Sequence, residues 1–327
     1  MPELPYVQAI NQAIAEEMAR DERVFVIGED VQASTFFVTR GLVERFGPER
    51  VMDTPLSETA VAGACIGAAM AGYRPVADLM FADFVYVAGN EIFINAAKWR
   101  FMHGGNVSLP FVIIAAMGGG ARLGPEHSQS PESVVMHTPG LKLAVPSTPY
   151  DAKGLLKTAI RDNNPVIFFF HKRLLGLRGE VPEEEYTIPF GRADVKREGT
   201  DVTVVATSAM VHLALGVAAE LEGRVSLEVI DPRTLEPLDI DTIVNSVKKT
   251  GRAVIVDEDT ERCSVGAEIG MQIMERAFDS LDGPIQRVSA ANFPIASGYM
   301  EQYVLPQAKD VVAAVAAVTG RRLAGAE

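Results

Sequence analysis

The sequence is poor in cysteine, histidine, tryptophan and positive charge, and each shortage excludes something. Two cysteines in 327 residues, Cys65 and Cys263, cannot form a disulfide framework, and there is no Cys-x-x-Cys pair. A reducing compartment is expected, the cytoplasm first. Five histidines (His103, His127, His137, His171 and His212) show no His-x-x-x-His spacing, which argues against a zinc site. No Gly-x-Ser-x-Gly elbow is present. The single tryptophan, Trp99, and the aromatics over 81–101 read as a helix packed on a core rather than a base-stacking platform. Lys and Arg number 30 against 43 Asp and Glu, a formal charge of −13, so no basic face for nucleic acid is expected. No apolar run reaches ~18 residues without a charge or a glycine, so no membrane-spanning helix is expected. The opening Met-Pro-Glu-Leu-Pro-Tyr-Val-Gln lacks a basic stretch followed by an apolar core, so no secretory leader is expected.

What the chain has in excess is apolar residues. They make up 48% with tyrosine counted. With glycine counted in place of tyrosine the share is about 55%, above the ~45–50% usual for soluble domains. Low-complexity disorder is excluded, and the excess requires a deep core or a large surface buried against another subunit. Length alone predicts two domains.

Short β-branched runs alternate with segments of helical period. Val7, Ile10, Ala13, Ile14 and Met18 predict a helix over 7–20. The same reading predicts strands at 24–27, 76–80, 111–115, 143–145 and 166–170, with helices at 58–71, 84–101 and 151–161. Residues 171–190 break the rhythm with basic, then acidic residues and two prolines, a linker pattern. Strands then resume at 202–206, 225–230, 253–256 and 285–288, with helices near 208–222, 239–249, 266–279 and 307–318. The expected fold class is α/β, with two doubly wound domains of mostly parallel sheet. The expected boundaries are 1–180, a linker over 181–194, and 195–327.

Ligands of open α/β sheets sit beyond the carboxyl ends of the strands, and three loops there carry reactive side chains. In Asp53-Thr54-Pro55-Leu56-Ser57-Glu58, the proline holds the approach extended and Glu58 opens a helix among small and apolar residues. Taken alone, Glu58 reads first as a first-turn acid favoured by the helix dipole, since such acids are common. Gly118-Gly119-Gly120 leads through a polar loop to His127-Ser128-Gln129-Ser130. Its order is not that of a phosphate cradle, so it reads better as a mobile carrier of His127 toward a cleft. Taken alone, His127 itself reads first as a plain surface histidine, since exposed loop histidines are common. The third loop, 160–165, closes a helix with Asp and Asn, ordinary turn chemistry.

Seven stretches are matched in order along nearly the whole chain: IGEDV (27–31), DTPLSE (53–58), FADF (81–84), NAAK (95–98), HSQS (127–130), TPYDAKGLL (148–156) and DPRTLEPLD (231–239). In them the chain resembles the β subunits of the thiamine-diphosphate-dependent 2-oxo acid dehydrogenases. This is the heteromeric transketolase-like group with pyruvate, branched-chain 2-oxo acid and acetoin members. The resemblance implies a pyrimidine-binding domain followed by a transketolase C-terminal domain for subunit contacts. It implies thiamine diphosphate shared with an α subunit, which holds the diphosphate and Mg²⁺ through Gly-Asp-Gly and a downstream Asn. This chain has no Gly-Asp-Gly. An α₂β₂ heterotetramer is implied, acting on pyruvate or a branched-chain 2-oxo acid and passing the acyl group to a lipoyl-bearing acyltransferase core. The carried-over site has Glu58 hydrogen-bonding the aminopyrimidine and favouring its imino tautomer. Leu56, Met80 and Phe84 would line the pyrimidine pocket. His127 would position the substrate carboxylate and move a proton during acyl transfer. A structural K⁺ is implied at Phe111, Ala159, Ile160, Asp162 and Asn164, beside the turn reading of those residues. Two other readings stay open: an acetoin dehydrogenase β subunit, and a silent scaffold paralogue. A self-sufficient transketolase is opposed by length and by the missing Gly-Asp-Gly.

Four places depart from the family pattern. Ile114 stands where Arg is usual and Phe170 where Glu is common. Cys263-Ser264 replaces Gly-Gly, and Pro294-Ile295-Ala296 lacks a second proline. Loss of the Arg and the Glu is expected to alter charge in the substrate cleft or at the α-subunit contact.

Overall fold

The computed structural model describes residues 2–323 and 325. The first half runs β1 (Glu3–Pro5), α1 (Tyr6–Arg20), β2 (Val24–Gly28), α2 (Leu42–Phe46), β3 (Val51–Asp53), α3 (Glu58–Met70) and β4 (Arg74–Phe81). It continues with α4 (Ala97–Met102), β5 (Val112–Met117), α5 (Glu132–Met136), β6 (Lys142–Ala144), α6 (Pro149–Arg161), β7 (Val166–His171) and β8 (Arg178–Glu180). The second half runs β9 (Asp194–Arg197), β10 (Val202–Ala206), α7 (Ala209–Glu220), β11 (Leu227–Asp231), β12 (Thr234–Glu236) and α8 (Ile240–Thr250). β13 (Ala253–Thr260), α9 (Val265–Ala277), β14 (Gln286–Ala290) and α10 (Ala308–Thr319) complete it.

These strands form two main sheets. One has the order β12-β6-β7-β5-β4-β2-β3, parallel throughout except for β12. The other has the order β14-β13-β10-β11-β9, parallel except for β9. Parallel strands covered on both faces read as unbroken apolar runs. All six residues of β5 are buried, and so are all six of β7. Side chains alternate between the faces. Val112, Ile114 and Ala116 pack with Phe168, Phe170 and the inner faces of α1 and α6. Ile113, Ala115 and Met117 pack the other way, with Val61 and Cys65 of α3.

Helix ends follow their sequence signals. Thr148 caps α6 by accepting the Asp151 amide, and Pro149 occupies the first turn, where a missing N–H costs nothing. Asp239 caps α8 through the Thr242 amide, and Gly251, with φ of 71°, ends it in the left-handed region.

Three expectations change. The helix foreseen over 84–101 is broken into a 3₁₀ turn (Ala82–Val85), a π-helical turn (Asn90–Ala96) and α4. Glu91 accepts from both the Asn90 and Asn95 side chains (2.7 Å each), and the Asn95 bond, four residues on, spans the π-helical turn. Next, β12 lies within the second half of the chain but pairs antiparallel with β6, adding an edge to the first sheet. Third, Ile114 and Phe170 line neither a cleft nor a contact surface. Both are fully buried in one cluster on the same face of adjacent strands. At these two positions the chain therefore carries apolar core packing.

The junction between halves absorbs two of the recognised stretches. The Lys196 ammonium bridges Asp151 (2.6 Å) and Asp194 (2.7 Å), and the Arg233 guanidinium donates to Asp151 Oδ1 (3.1 Å). Ser147 donates to Asp231. Asp151 of TPYDAKGLL and Asp231 and Arg233 of DPRTLEPLD thus meet as structural partners.

Candidate active site

Two clusters lie at the carboxyl ends of β2, β3, β4 and β5. The first surrounds Glu58, the first residue of α3. The chain reaches it through Thr54, whose amide donates to the Gly28 carbonyl (3.0 Å). Gly28 is required there, since a Cβ would stand 2.3 Å from the Asp78 carbonyl oxygen. Glu58, Glu29, Thr54, Ser57, Val61, Asp78 and Leu79 enclose a narrow cavity. Among the described residues the half-buried Glu58 carboxylate accepts no hydrogen bond, and the Thr54 hydroxyl is buried without a partner. Burial pushes the Asp78 carboxyl up to about 7, although it accepts the Met80 amide (2.8 Å). Burial, with the charges of Asp30 and Glu58, also raises Glu29.

Met80 links this cluster to the next. Its φ of 64° is unusual for a side-chain-bearing residue, and the β4–β5 register shifts between Asp78 and Phe81. The Asp78 carboxylate that takes the Met80 amide holds this bulge, which re-aims the strand end.

The second cluster surrounds His127. Its imidazole lies edge-on to Phe81 (centroids 4.5 Å) and to Phe84 (5.7 Å). Phe36 packs edge-on against Phe81 (5.1 Å). Lys172, just after β7, donates to the His127 carbonyl (2.8 Å), and Asp83 accepts the Gln129 amide (3.2 Å). Burial raises the Asp83 carboxyl despite that bond.

The glycine run is committed to packing. The Gly118 amide donates to the Gln129 carbonyl (3.0 Å) and the Gly119 amide to Glu258 Oε1 (2.5 Å). A Cβ at Gly118 would stand 2.0 Å from His171 Nε2, and at Gly119 2.4 Å from a Leu305 methyl. Two of its amides are thus spent inside the protein, and the glycines serve close packing, Gly118 against His171 of its own half and Gly119 against Leu305 of the other.

Phe84 and His127 are in contact and Met80 connects them to the Glu58 pocket. Leu56 is 69% exposed, an apolar residue at the cleft lip with little to cover it. Sequence reading missed Asp78, Phe81, Lys172 and Glu258. A signal for Asp78 was available, because a carboxylate inside Val-Ala-Asp-Leu-Met interrupts a buried strand.

Phe111, Ala159, Ile160, Asp162 and Asn164 gather at the end of α6. The Arg74 guanidinium donates to the Ile160 carbonyl (3.1 Å) and the Asp162 carbonyl (2.9 Å). The Phe111 carbonyl accepts from Val166 (3.0 Å) and the Ala159 carbonyl from Asp162 (3.2 Å). Asp162 pairs with Lys142 and accepts both Asn164 N–H groups.

Comparison with known proteins adds the lineage. Residues 3–178 match the family described as transketolase, pyrimidine binding domain, and residues 191–311 match transketolase, C-terminal domain. The chain is 48% identical to a 2-oxoisovalerate dehydrogenase subunit beta of Bacillus subtilis (strain 168), over 96% of this chain and 98% of that protein. It is 45% identical to a pyruvate dehydrogenase E1 component subunit beta of the same organism, over 95% and 97%. The chain belongs to the β subunits of the transketolase-like 2-oxo acid dehydrogenases. An acetoin:2,6-dichlorophenolindophenol oxidoreductase subunit beta of Cupriavidus necator is 47% identical, over 94% of each chain. Among solved structures, a split-gene transketolase described as an inactive β4 tetramer matches with a TM-score of 0.78 and 25% identity, over 97% of this chain and 98% of that one. Family membership is the two-domain α/β fold described above. No helix among the described residues is long and apolar enough to cross a membrane.

Proposed function

We propose that this chain supplies the pyrimidine-gripping half of an active site completed by an α subunit in an α₂β₂ heterotetramer. The assembly oxidatively decarboxylates pyruvate or a branched-chain 2-oxo acid and hands the acyl group to a lipoyl-bearing acyltransferase. The observation that carries this is the Glu58 pocket: an unpaired carboxylate beside an orphaned Thr54 hydroxyl offers an acceptor and a hydroxyl to a nitrogen-rich ring. Those residues fit the aminopyrimidine end of thiamine diphosphate, and the spent glycine amides leave diphosphate and Mg²⁺ to the α subunit. Bound there, thiamine diphosphate supplies the nucleophilic carbon and the electron sink that decarboxylation needs. Glu58 accepts from the ring and fixes its proton distribution, in a partly buried site where such a bond is strong. Leu56, Met80 and Phe84 provide apolar walls that exclude water. His127, set between Phe81 and Phe84, orients the substrate carboxylate and moves a proton during acyl transfer.

Exposed apolar residues near the cleft support a covering partner. Tyr86, Val87, Ile94, Phe101 and Met102 are each at least half exposed on the segment that follows Phe84. Covered surfaces of this kind also account for the apolar excess of the composition. A cytoplasmic location completes the reading.

The test is co-expression with a Gly-Asp-Gly-bearing α subunit and assay of thiamine-dependent dye reduction. Turnover is expected only with both chains, on pyruvate or branched-chain 2-oxo acids. Turnover on acetoin alone would move the chain to that branch, stable assembly without turnover would favour a scaffold, and activity of the isolated chain would refute the half-site.

The carbonyls at the end of α6 keep a second lone pair each, which fits a hard monovalent cation beside Arg74. We place a structural K⁺ there. Exchanging K⁺ for choline at constant ionic strength is expected to lower Tm by a few degrees, since an ion bound only by the folded state stabilises it. An unchanged Tm would leave Arg74 as the only cation at those carbonyls.

A further inference from the structure

We propose that Lys172 is a positioning residue for His127, held against the catalytic loop by the second half of the chain through Glu258. The proposal rests on the role given to His127 above.

Lys172 is 8% exposed, and its only side-chain hydrogen bond among the described residues goes to the His127 carbonyl (2.8 Å). Its ammonium also lies 5.5 Å from the centre of the Phe81 ring, the ring that packs against the imidazole. One side chain therefore fixes both the backbone of His127 and the wall beside its ring. Burying an ammonium is costly, and an apolar side chain would fill the space at less expense. The charge is retained where its one directed bond holds the loop.

Glu258, at the end of β13, secures the other end of the same loop. Its Oε1 accepts the Gly119 amide (2.5 Å) and the His171 Nε2–H (3.1 Å), while His171 Nδ1 accepts the Arg173 amide (3.1 Å). Burial alone would raise the Glu258 carboxyl, but His171, Arg173 and the Gly119 amide hold it at about 2. It is thus a fixed negative charge, contributed from across the domain junction. The groups facing Lys172 are Asp83 from the turn after β4, Glu258 from β13 and Glu301 from the 298–303 turn. Its chain neighbours are His171 and Arg173. Burial lowers the Lys172 ammonium to about 8 against the pull of the three carboxylates. As pH rises through 8 the amine loses its charge and its grip on the loop weakens.

The experiment uses the assembled αβ enzyme with thiamine diphosphate and Mg²⁺, and reads two reactions separately: dye-linked decarboxylation, and acylation of a free lipoyl domain. Lys172→Met is expected to slow acylation by about 10- to 100-fold, the scale of an ångström-sized misplacement, and, because His127 also orients the substrate carboxylate, to raise the KM for the 2-oxo acid in dye reduction. The His127→Ala/Lys172→Met double variant is expected to be no slower than His127→Ala alone, because both changes remove one unit. Lys172→Arg keeps a charge that does not titrate, so its acylation should match wild type at pH 7 and lose the decline above pH 8. Normal acylation by Lys172→Met, multiplied effects in the double variant, or an unchanged alkaline decline in Lys172→Arg would overturn the proposal. Should Lys172→Met fail to assemble, the pH profile of Lys172→Arg decides. Normal acylation by His127→Ala removes the role of His127 itself, and with it anything to position. An impaired His127→Ala beside a normal Lys172→Met removes only the proposal.

Discussion

Glu58→Gln is expected to cut turnover of the assembled enzyme by at least about 100-fold while leaving assembly and Tm unchanged, consistent with the ~10²–10⁴ carried by positioned proton-handling groups. The substitution keeps shape and hydrogen-bonding atoms but removes the charge. A neutral amide accepts more weakly from a ring nitrogen and cannot bias the ring's proton distribution in the same way. The fold has little stake in that charge. Glu58 accepts no side-chain hydrogen bond among the described residues, and its interaction with the α3 dipole is worth about 0.3–1 kcal/mol. Stability and activity therefore separate at this position. Dye-linked decarboxylation beside thermal unfolding of the co-expressed enzyme measures both. Wild-type turnover in Glu58→Gln would end the assignment of Glu58.

The second large effect falls on the core. Ile114→Arg alone is expected to destabilise the chain by about 3–5 kcal/mol, the usual consequence of an uncompensated buried charge. Phe170→Glu alone should do the same. Ile114 and Phe170 are both fully buried, on the same face of β5 and β7, with Ile114 opposite Phe168 and Ala116 opposite Phe170. That places them as diagonal neighbours, within reach of long side chains. The double variant is expected to recover most of the loss, because each new charge then has its partner. It should still fall short of the native apolar pair, since desolvating two ions often outweighs their attraction. Urea unfolding of the two single variants and the double variant tests this. A double variant as unstable as the sum of the singles would show that these positions do not couple.

The alternation of apolar strands with helix-period segments was legible because buried parallel strands and amphipathic helices leave local marks. β10, α6 and α8 fall within a few residues of their expected spans. The helix over 84–101 was not legible as three pieces. Its apolar spacing is helical, and spacing alone does not separate 3₁₀ and π-helical turns from an α-helix. The pairing of β12 with β6 was hidden as well, because a three-residue strand has no period and its partner lies about ninety residues away in sequence.

In the candidate site, Glu58, His127 and Phe84 are proposed from ordered stretches of sequence, and Met80 from its position just before one of them. Asp78, Lys172 and Glu258 are not, because their significance lies in what faces them. A lysine after an apolar strand reads as solvated until the fold puts it under the His127 carbonyl. A carboxylate at the end of β13 reads as a strand-end acid until Gly119 and His171 arrive from the other half of the chain.

The sequence by itself determined the two α/β halves and the family, and it singled out Glu58 and His127 as candidates, because periodicity and ordered motifs are local properties of a chain. Only the tertiary structure decided that the triple glycine serves packing, that Ile114 and Phe170 lie buried in one cluster, and that the two halves each hold one end of the His127 loop, Lys172 at His127 and Glu258 at Gly119. Each of those depends on distances between residues far apart in sequence, where burial turns a modest charge or a missing Cβ into a determining one.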